Sequence, residues 1–381
     1  MVLTSTRPLT SSSVMQYGAV GDGKTDDTQA FAKAWTAACG SKSDNTVVVP
    51  AGKNFLVRPL QFQGPCKSSS IKFQVMGKIT APSKNNFGAG KDNWLVFTNI
   101  DGLVVSGNGQ IDGNGQAWWP GCGQGSSCQR PTALEFNSCK NFKLDGLTHN
   151  NSPKNHISVT NCQSSTISNL HIIAPQTSPN TDGIDISSST NIFINHCDIG
   201  TGDDCIAINN GSSYINISRV NCGPGHGISI GSLGIDGSEG QVEEVHVSDC
   251  TFTRTKNGAR IKTYKGGRGF IRKINYERIT LVDTLNPILI DQHYCPNNVC
   301  QDALDVNIRE ISFVGFEGTS GQEAAIQLNC SAIVACTGIV LTGINMTPAG
   351  PASGKSLRAT CINAHGTSSP SNVPAVSCLL P

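Results

Sequence analysis

Acidic and imidazole side chains recur at one spacing in the middle of the 381-residue chain. Asp182, Asp204 and His226 lie at successive steps of 22 residues, and isoleucines follow each of them two and four residues later, at Ile184 and Ile186, Ile206 and Ile208, and Ile228 and Ile230. Two carboxylates that lie close together do not both ionise easily, so one of them retains a proton near neutral pH. A protonated and an ionised carboxyl across one bond are the groups that glycoside hydrolysis requires.

A second pair of charged residues falls beside this repeat. Arg260 and Lys262 flank Ile261, and we place this segment next to the three repeats with Ile261 opposite the first isoleucine of each. Because side chains alternate across a strand, an inward Ile261 turns Arg260 and Lys262 outward. Neighbouring strands lie about 4.8 Å apart. The carboxylates, the imidazole and the cations are therefore predicted to line one groove, in which the cations indicate an anionic substrate.

The polar residues of the repeat lie two residues before an inward isoleucine, so in a straight strand they would also point inward. Unpaired carboxylates are not stable inside an apolar core. We therefore expect them to precede the regular strand at a kink, which Gly183 and Gly227 favour. At such a kink the adjacent Asp203 and Asp204 would both face the groove.

Each of these residues also has an ordinary structural explanation. A single aspartate is more often a turn residue or a strand cap, and a single histidine is more often a hydrogen-bonded loop residue. Two cations on a strand usually form a solvated face. The convergence of four such features on adjacent coils favours a functional site.

The elements that position these residues are predicted to be short strands. From residue 141 the chain divides into coils of two or three strands of three to five residues, which begin near Asn141, Ser165, Asn191, Tyr214, Val242 and Phe270. A fixed step between equivalent residues is typical of a solenoid, whereas a β-sandwich would show hairpin turns and no fixed step. We predict an all-β fold, a right-handed parallel β-helix.

The N-terminal part is predicted to differ from the rest. Residues 14–19 are assigned to a strand and turn, and a helix follows in which apolar residues recur at helical spacing, at Phe31, Ala34, Trp35 and Ala38. Thr25 or Asp26 is expected to cap this helix, and Cys39-Gly40 to end it. A helix at this place would cover the open end of the strand stack.

Length, charge and hydropathy narrow the classes of function. The net charge of +1 gives no field that attracts nucleic acid, and no segment approaches the ~20 apolar residues of a membrane span. We predict one domain, with residues 14–366 forming the catalytic β-helix and residues 1–13 and 367–381 forming terminal tails. The first residues lack the apolar core of a signal peptide, but the cysteines and the N-glycosylation sequons favour a secreted protein.

The 16 cysteines indicate disulfides, although spacing alone does not determine their connectivity. Six pairs are plausible: Cys39–Cys66, Cys122–Cys128, Cys205–Cys222, Cys295–Cys300, Cys330–Cys336 and Cys361–Cys378. Cys162, Cys197 and Cys250 fall in strand-like runs and are expected to pack as small apolar residues. The sequence contains no CxxC pair with matching histidines, so we expect no structural zinc.

Four short motifs resemble the signature motifs of the polygalacturonases, family 28 of the glycoside hydrolases, in their plant form. They are Asn180-Thr181-Asp182, Gly202-Asp203-Asp204, Gly225-His226-Gly227 and Arg260-Ile261-Lys262. The similarity runs from about residue 14 to residue 366 and includes the opening segment 17–27 and the segment 223–234.

The resemblance implies hydrolysis of α-1,4-linked galacturonic acid in pectin with inversion of configuration. It implies that Asp203 is the general acid, that Asp182 and Asp204 activate the attacking water, and that His226 tunes or shares the proton of the acid. An anionic polysaccharide is the expected partner, and neither a cofactor nor a metal is implied. We expect an extracellular monomer of the cell wall without nucleic-acid or membrane partners.

The resemblance also implies the residues that hold the substrate. Arg260 and Lys262 would bind its carboxylate, with Asn180 nearby, and Tyr294 matches a tyrosine that lines the subsite in the family. The spacing of about 4.8 Å between coils is closer to the carboxyl separation of retaining enzymes than to the 6.5–9.5 Å of inverting ones. We follow the family and expect inversion, because three carboxylates can hold a water between them.

Two other functions stay open on the sequence. A pectate lyase is also a parallel β-helix that acts on polygalacturonate, but it cleaves by β-elimination, with a basic residue such as Arg260 or Lys262 as the proton acceptor. A solenoid that only binds wall polysaccharide is the second alternative, and the intact motifs argue against it. The motifs do not distinguish endo from exo action, and we expect endo action.

Overall fold

Most of the described chain consists of short strands that pair in parallel with the equivalent strand of the next coil. The computed structural model describes residues 12–122, 128–295 and 305–381. Strand pairings along the whole stack are parallel. The predicted parallel β-helix with a helix at its N-terminal end is confirmed.

The structure contains 31 strands over the described residues, and those of ten or more residues all lie from residue 190 onward. The first ten are β1 (Ser12–Ser13), β2 (Asp22–Asp26), β3 (Thr46–Val49), β4 (Asn54–Leu56), β5 (Leu60–Gln63), β6 (Ile71–Val75), β7 (Lys78–Thr80), β8 (Asn93–Thr98), β9 (Leu103–Ser106) and β10 (Gln110–Asp112). The next ten are β11 (Thr132–Asn137), β12 (Lys143–Asp145), β13 (Thr148–Asn150), β14 (Ile157–Thr160), β15 (Gln163–Ser168), β16 (His171–Ile173), β17 (Ile184–Ser187), β18 (Thr190–Gly200), β19 (Ile206–Ile208) and β20 (Ser212–Cys222). The last are β21 (Ile228–Leu233), β22 (Glu239–Ser248), β23 (Thr251–Thr253), β24 (Asn257–Tyr264), β25 (Arg268–Thr284), β26 (Asn286–Tyr294), β27 (Asn307–Ser320), β28 (Ala324–Asn329), β29 (Cys336–Pro348), β30 (Arg358–Ile362) and β31 (Ala364–Ser368).

Helical structure is sparse in the part of the chain that the structure describes. The α-helix is α1 (Thr28–Cys39). Single 3-10 turns lie at Val14–Tyr17, Lys84–Asn86, Gly115–Ala117, Ile235–Gly237 and Gly350–Ala352.

Two sheets run along the stack. One contains eleven strands in the order β5, β8, β11, β14, β17, β19, β21, β24, β26, β28 and β30, and we call it the site sheet. The other twenty strands form a second sheet that wraps the remaining sides of the coils. The inward faces of both sheets enclose one apolar core that runs the length of the stack.

The isoleucines of the repeat stack in register at the centre of the site sheet, and each is fully buried. The first isoleucines pair as Ile184, Ile206 and Ile228, and the second as Ile186, Ile208 and Ile230. The predicted alignment of the next coil was wrong by two residues. Ala259 lies opposite the first isoleucine, and Ile261 lies opposite the second. Because the shift is even, Ile261 still faces inward and its two charged neighbours face outward.

Single residues with a left-handed backbone form corners inside the long strands. His196 in β18 and Arg219 in β20 have φ of 53° and 52°. Pairing between these strands continues on both sides of the corner, from Asn195 with Ser218 to Cys197 with Val220. The predicted strands of three to five residues are therefore wrong for these coils, because one turned residue redirects the chain without ending the ladder.

Helix α1 covers the N-terminal end of the core. The four apolar residues predicted on one face are buried, and Phe31 and Trp35 make ring contacts with Phe55 and Phe62 of the first coils. The helix ends at Cys39 as expected, but its N-cap position is Asp27. The Asp27 carboxylate accepts the backbone N–H groups of residues 20 and 21, while Asp26 accepts that of residue 28.

The predicted strand at the start of the chain is a 3-10 turn. The turn Val14–Tyr17 is capped by Ser13, whose hydroxyl accepts the backbone N–H of Met15. Gly18 closes the turn with φ of 97°, a conformation that glycine adopts without steric cost.

Five of the six predicted disulfides are present, namely Cys39–Cys66, Cys122–Cys128, Cys205–Cys222, Cys330–Cys336 and Cys361–Cys378. The sixth pair includes Cys300, which lies outside the described residues. Cys162, Cys197 and Cys250 are free and buried, as predicted, and Cys139 shares this state.

The C-terminal segment follows the stack beyond the last coil. Isolated parallel bridges join Asn345 to Val373 and His365 to Leu380, and the disulfide of Cys378 anchors the same segment. Over the residues that the structure describes, α1 and the short turns fall well below the length and hydropathy that a membrane-crossing helix needs.

Two buried histidines lie inside the stack. His149 in β13 sits between Ile111 and Ile172 of the adjacent coils, and its ring nitrogens have no hydrogen-bond partner. Burial, with the charge of nearby His156, lowers the pKa of His149 to about 3. Burial lowers the pKa of His156 to about 4, although backbone carbonyls oppose this shift. Unfolded histidines take up protons near pH 6.5, so the free energy of unfolding falls as the pH drops below that value.

Replacing His149 by isoleucine is expected to reduce this acid sensitivity, because the unfolded chain then has one fewer proton to gain. Between pH 7 and pH 4.5 the variant should lose about 2.5 kcal/mol less of its free energy of unfolding than the wild type. Urea unfolding at the two pH values measures the difference. His196→Asn, at an exposed corner with positive φ, should behave as the wild type. Equal losses in His149→Ile and the wild type would contradict the assignment.

Candidate active site

The polar residues of the 22-residue repeat lie at the same end of three adjacent strands of the site sheet. Strands β17, β19 and β21 each begin two residues after the polar residue of their coil, so Asp182, Asp204 and His226 precede the strands as predicted. A cavity of about 300 Å³ opens at this place, and it is lined by Pro179, Asn180, Asp182, Gly202, Asp203, His226, Lys256, Arg260, Lys262 and Tyr294.

Glycines allow the chain to bend where the strands begin. A Cβ atom on Gly183 would lie 2.5 Å from the carbonyl oxygen of Cys205 on the next coil, so no larger residue fits there. Gly227 has φ of 92°, and a Cβ atom would collide with the backbone of Asn257. These two close approaches keep the coils in register beside the polar residues.

Asp204 is fully buried beneath the cavity. One carboxylate oxygen accepts hydrogen bonds from Arg260, at 2.5 Å, and from the hydroxyl of Ser229, at 2.9 Å. The other oxygen accepts a hydrogen bond from Lys262 at 2.9 Å. The expectation that Asp203 and Asp204 both face the groove was therefore wrong, because the two cations draw the second carboxylate under the strand.

Asp203 faces the cavity and is held from two sides. His226 Nδ1 lies 2.9 Å from Asp203 Oδ1, and Asn180 donates its amide to Asp203 Oδ2 at 3.3 Å. Burial raises the pKa of Asp203, but the hydrogen bond from His226 and the charges of His226, Lys262 and Arg260 outweigh burial and lower the pKa to about 2. Asp203 is therefore ionised in the substrate-free protein.

Asp182 behaves in the opposite way. Its carboxyl lines the cavity, and withdrawal from bulk water raises its pKa well above the usual value. The charges of Asp203, Asp185 and Asp204 raise it further, while that of Lys262 lowers it. Of the two carboxyls that line the cavity, Asp182 therefore holds a proton more readily than Asp203, as expected for a cluster of carboxylates that cannot all ionise.

A further carboxyl, Asp185, extends the acidic cluster along the outer face of the site sheet. It lies in β17 and accepts a hydrogen bond from Asn155. Burial and the charge of Asp204 raise its pKa to about 7, against the opposing charge of Lys154.

Seven of the eight predicted site residues line the cavity. The amide of Asn180 contacts Asp203, and the ammonium of Lys262 lies 5.5 Å from the centre of the Tyr294 ring. Arg260 and Lys262 line the cavity although each is only 8% exposed. Asp204 is the exception, since it contacts the cations beneath the cavity instead of lining it.

Four further polar residues near the site were not predicted from the sequence: Arg130, Asp185, Ser229 and Lys256. Ser229 and Asp185 lie between the inward isoleucines of their strands, so strand parity alone could have identified both. Arg130 is 50 residues from its partner Asn180, and nothing in its local sequence indicates that contact.

Three side chains of the site have the composition of a metal site. One ligand atom each from Asp203, Asp204 and His226 lies within 4.8 Å of the others. Both oxygens of Asp204 already accept hydrogen bonds from cations, and Asp203 contacts the imidazole. Arg260 and Lys262, in direct contact with the Asp204 oxygens, repel a metal ion at this site. Asp203, Asp204 and His226 therefore fit a set of ion pairs better than a metal site.

The arrangement supplies what acid–base cleavage of a glycosidic bond needs. A carboxyl with a lowered pKa, Asp203, and one with a raised pKa, Asp182, border one cavity, an imidazole is hydrogen-bonded to the former, and two cations lie beside them. Such a site can protonate a leaving oxygen, accept a proton from water and attract an anionic sugar.

Comparison with known proteins agrees with this geometry. The family model for glycosyl hydrolases family 28 matches residues 39–372. A probable polygalacturonase of Arabidopsis thaliana is 49% identical over 96% of this chain and 80% of its own length. An exopolygalacturonase of Zea mays is 39% identical over 93% of this chain and 87% of its own.

Solved structures show the same architecture. The crystal structure of endo-xylogalacturonan hydrolase from Aspergillus tubingensis superimposes with a TM-score of 0.79 at 26% identity, over 95% of this chain and 97% of that one. Because the family model covers most of the chain and the plant relatives match nearly all of it, the chain belongs to family 28 of the glycosyl hydrolases.

Proposed function

We propose that this protein is a polygalacturonase that hydrolyses α-1,4-galacturonosyl linkages of pectin with inversion of configuration. The observation that carries the proposal is the pairing of acidic groups with Arg260 and Lys262 around one cavity. A uronic acid polymer presents a carboxylate on every ring, and the two cations complement that charge. The family of the chain and the polygalacturonases among its relatives support the same substrate.

In the proposed mechanism Asp203 donates the proton to the leaving oxygen, and Asp182, which lines the cavity, activates the attacking water. His226 holds Asp203 in place through their 2.9 Å contact and shares its proton. Asp204 contributes from beneath the cavity, where it fixes Arg260 and Lys262. Tyr294 and Asn180 border the ring that carries the carboxylate.

The substrate itself is expected to move the catalytic proton. In the free protein the pKa of Asp182 is raised well above its usual value, whereas the hydrogen bond from His226 and the charges of Lys262 and Arg260 lower the pKa of Asp203. A substrate carboxylate bound to these cations offsets their charge, which raises the pKa of Asp203. The proton then favours Asp203, and the ionised Asp182 is free to take a proton from water.

Two substitutions separate these roles. Asp203→Asn should lower kcat on polygalacturonate by about 10²- to 10⁴-fold, because general acid catalysis is lost. It should cost much less on an aryl galacturonide, whose phenolate leaves without protonation. Asp182→Asn should lower kcat equally on both substrates. The opposite result would be a smaller loss of kcat for Asp182→Asn on the aryl galacturonide than on polygalacturonate. It would identify Asp182, with its raised pKa, as the general acid and would exchange the two roles.

The stereochemical outcome tests the position of the water. Asp203 and Asp204 have carboxylate atoms within 4.8 Å of each other, a short separation that by itself favours retention. Inversion requires Asp182 to direct the water from the other side of the ring. We expect NMR of the first product to show the β-anomer from the α-linkage. A first product in the α-configuration would exclude the proposed inverting mechanism.

We further propose endo action on wall polysaccharide outside the cell. The acidic residues, His226 and the two cations lie on or just before β17, β19, β21 and β24, which are central in the site sheet. Four strands of that sheet lie on one side of them and three on the other. At about 4.8 Å per strand this face extends for roughly 15–20 Å in both directions, room for several sugar rings. The disulfides are typical of an oxidising compartment.

Product analysis on polygalacturonate tests the reaction and the mode of attack together. We expect reducing ends to appear without ultraviolet absorbance, and mixed oligomers to precede the monomer. Unsaturated products that absorb in the ultraviolet would identify a lyase instead, and monomer as the sole early product would identify exo action. Binding of the polymer without any new reducing ends would indicate a non-catalytic solenoid.

A further inference from the structure

A buried arginine lies beside the catalytic residues without lining the cavity. Arg130 precedes β11 and is 7% exposed. One guanidinium nitrogen donates to the carbonyl oxygen of Pro153 at 3.0 Å and to that of Pro179. The other donates to the side-chain oxygen of Asn180 at 2.7 Å. Arg130 therefore joins three segments of chain, one of which carries a residue of the site.

The contact with Asn180 determines which way that amide points. Since its oxygen accepts from Arg130, its nitrogen is directed toward Asp203, 3.3 Å away. Asn180 also has φ of 51°, in the left-handed region that L-residues enter at a cost. The bonds from Arg130 to the Asn180 side chain and to the preceding carbonyl of Pro179 hold it in this conformation.

The charge of Arg130 also lies close to the acid groups. Burial lowers the pKa of the guanidinium, and the charges of Asp182 and Asp203 act against this effect. The acidic cluster is thus flanked by cations on two sides, with Arg260 and Lys262 paired to Asp204 and Arg130 bonded to the side-chain oxygen of Asn180. Only the former pair contacts a carboxylate directly.

We propose that Arg130 is a positioning residue for hydrolysis, which acts through Asn180 to orient the amide that donates to Asp203. The planar fork of its guanidinium matches this task, because it reaches two backbone carbonyls and a side-chain oxygen in fixed directions. A lysine at this position keeps the charge but cannot hold all three acceptors. The inference rests on the proposed role of Asp203.

A double-mutant cycle tests this inference. Arg130→Lys and Asn180→Ala should each lower kcat on polygalacturonate by about 10- to 100-fold. The double variant should be no slower than Asn180→Ala alone, because the two residues act in sequence. Both single variants should also shift the limb of the pH–kcat profile that reports Asp203. Arg254→Lys, at an exposed position, serves as the matched control and should leave kcat unchanged.

A second variant covers the case in which Arg130→Lys does not fold. Asn180→Asp keeps an oxygen for Arg130 but replaces the amide donor with a carboxylate oxygen that faces Asp203. The variant should still unfold in one cooperative thermal transition, whereas its kcat should fall at least as far as that of Asn180→Ala, because the donor is lost and a like charge takes its place. Full kcat in Asn180→Asp, or losses that multiply in the double variant, would overturn the proposal. Wild-type protein that releases no reducing ends would instead overturn the proposed function, so the two failures are distinguishable.

Discussion

The site depends on how one buried carboxylate is neutralised. Asp204 has no exposure to solvent, and an unpaired charge in that position would cost at least several kcal/mol. Arg260 and Lys262, which come from a strand two coils further along the site sheet, supply the compensation. This ion triad therefore couples three coils. It also places two cations at the base of the cavity, where their charge, together with the hydrogen bond from His226, lowers the pKa of Asp203.

The fold makes this coupling possible because equivalent residues of successive coils meet at one strand spacing. The isoleucine stack determines the inward face, so the residues between the isoleucines face the site. Ser229 is one of them, and its hydroxyl joins Arg260 to Asp204. Corners made by single left-handed residues, such as His196, keep the coils parallel where a longer loop would let the register slip.

The sequence predicted the solenoid, the helix at its end, the kink before the strands and the residues of the site. These features depend on the inward–outward alternation of residues along a strand and on the 22-residue step, and both can be read directly from the sequence. The predicted position of Ile261 was wrong by two residues. The inward–outward alternation allows any even shift of a strand against its neighbour and does not select one of them. The sequence also placed Asp204 in the groove, since the alternation at a kink says nothing about where a carboxylate finds its cations.

The sequence by itself thus determined which residue types recur and which face of each strand they occupy. Only the tertiary structure decided how the pKa values of the acidic groups separate, with that of Asp182 raised and that of Asp203 lowered. Only the tertiary structure also brought Arg130 to Asn180 across 50 residues. The physical reason is that burial, charge and hydrogen-bond geometry depend on distances between coils, and these exist only once the chain has stacked.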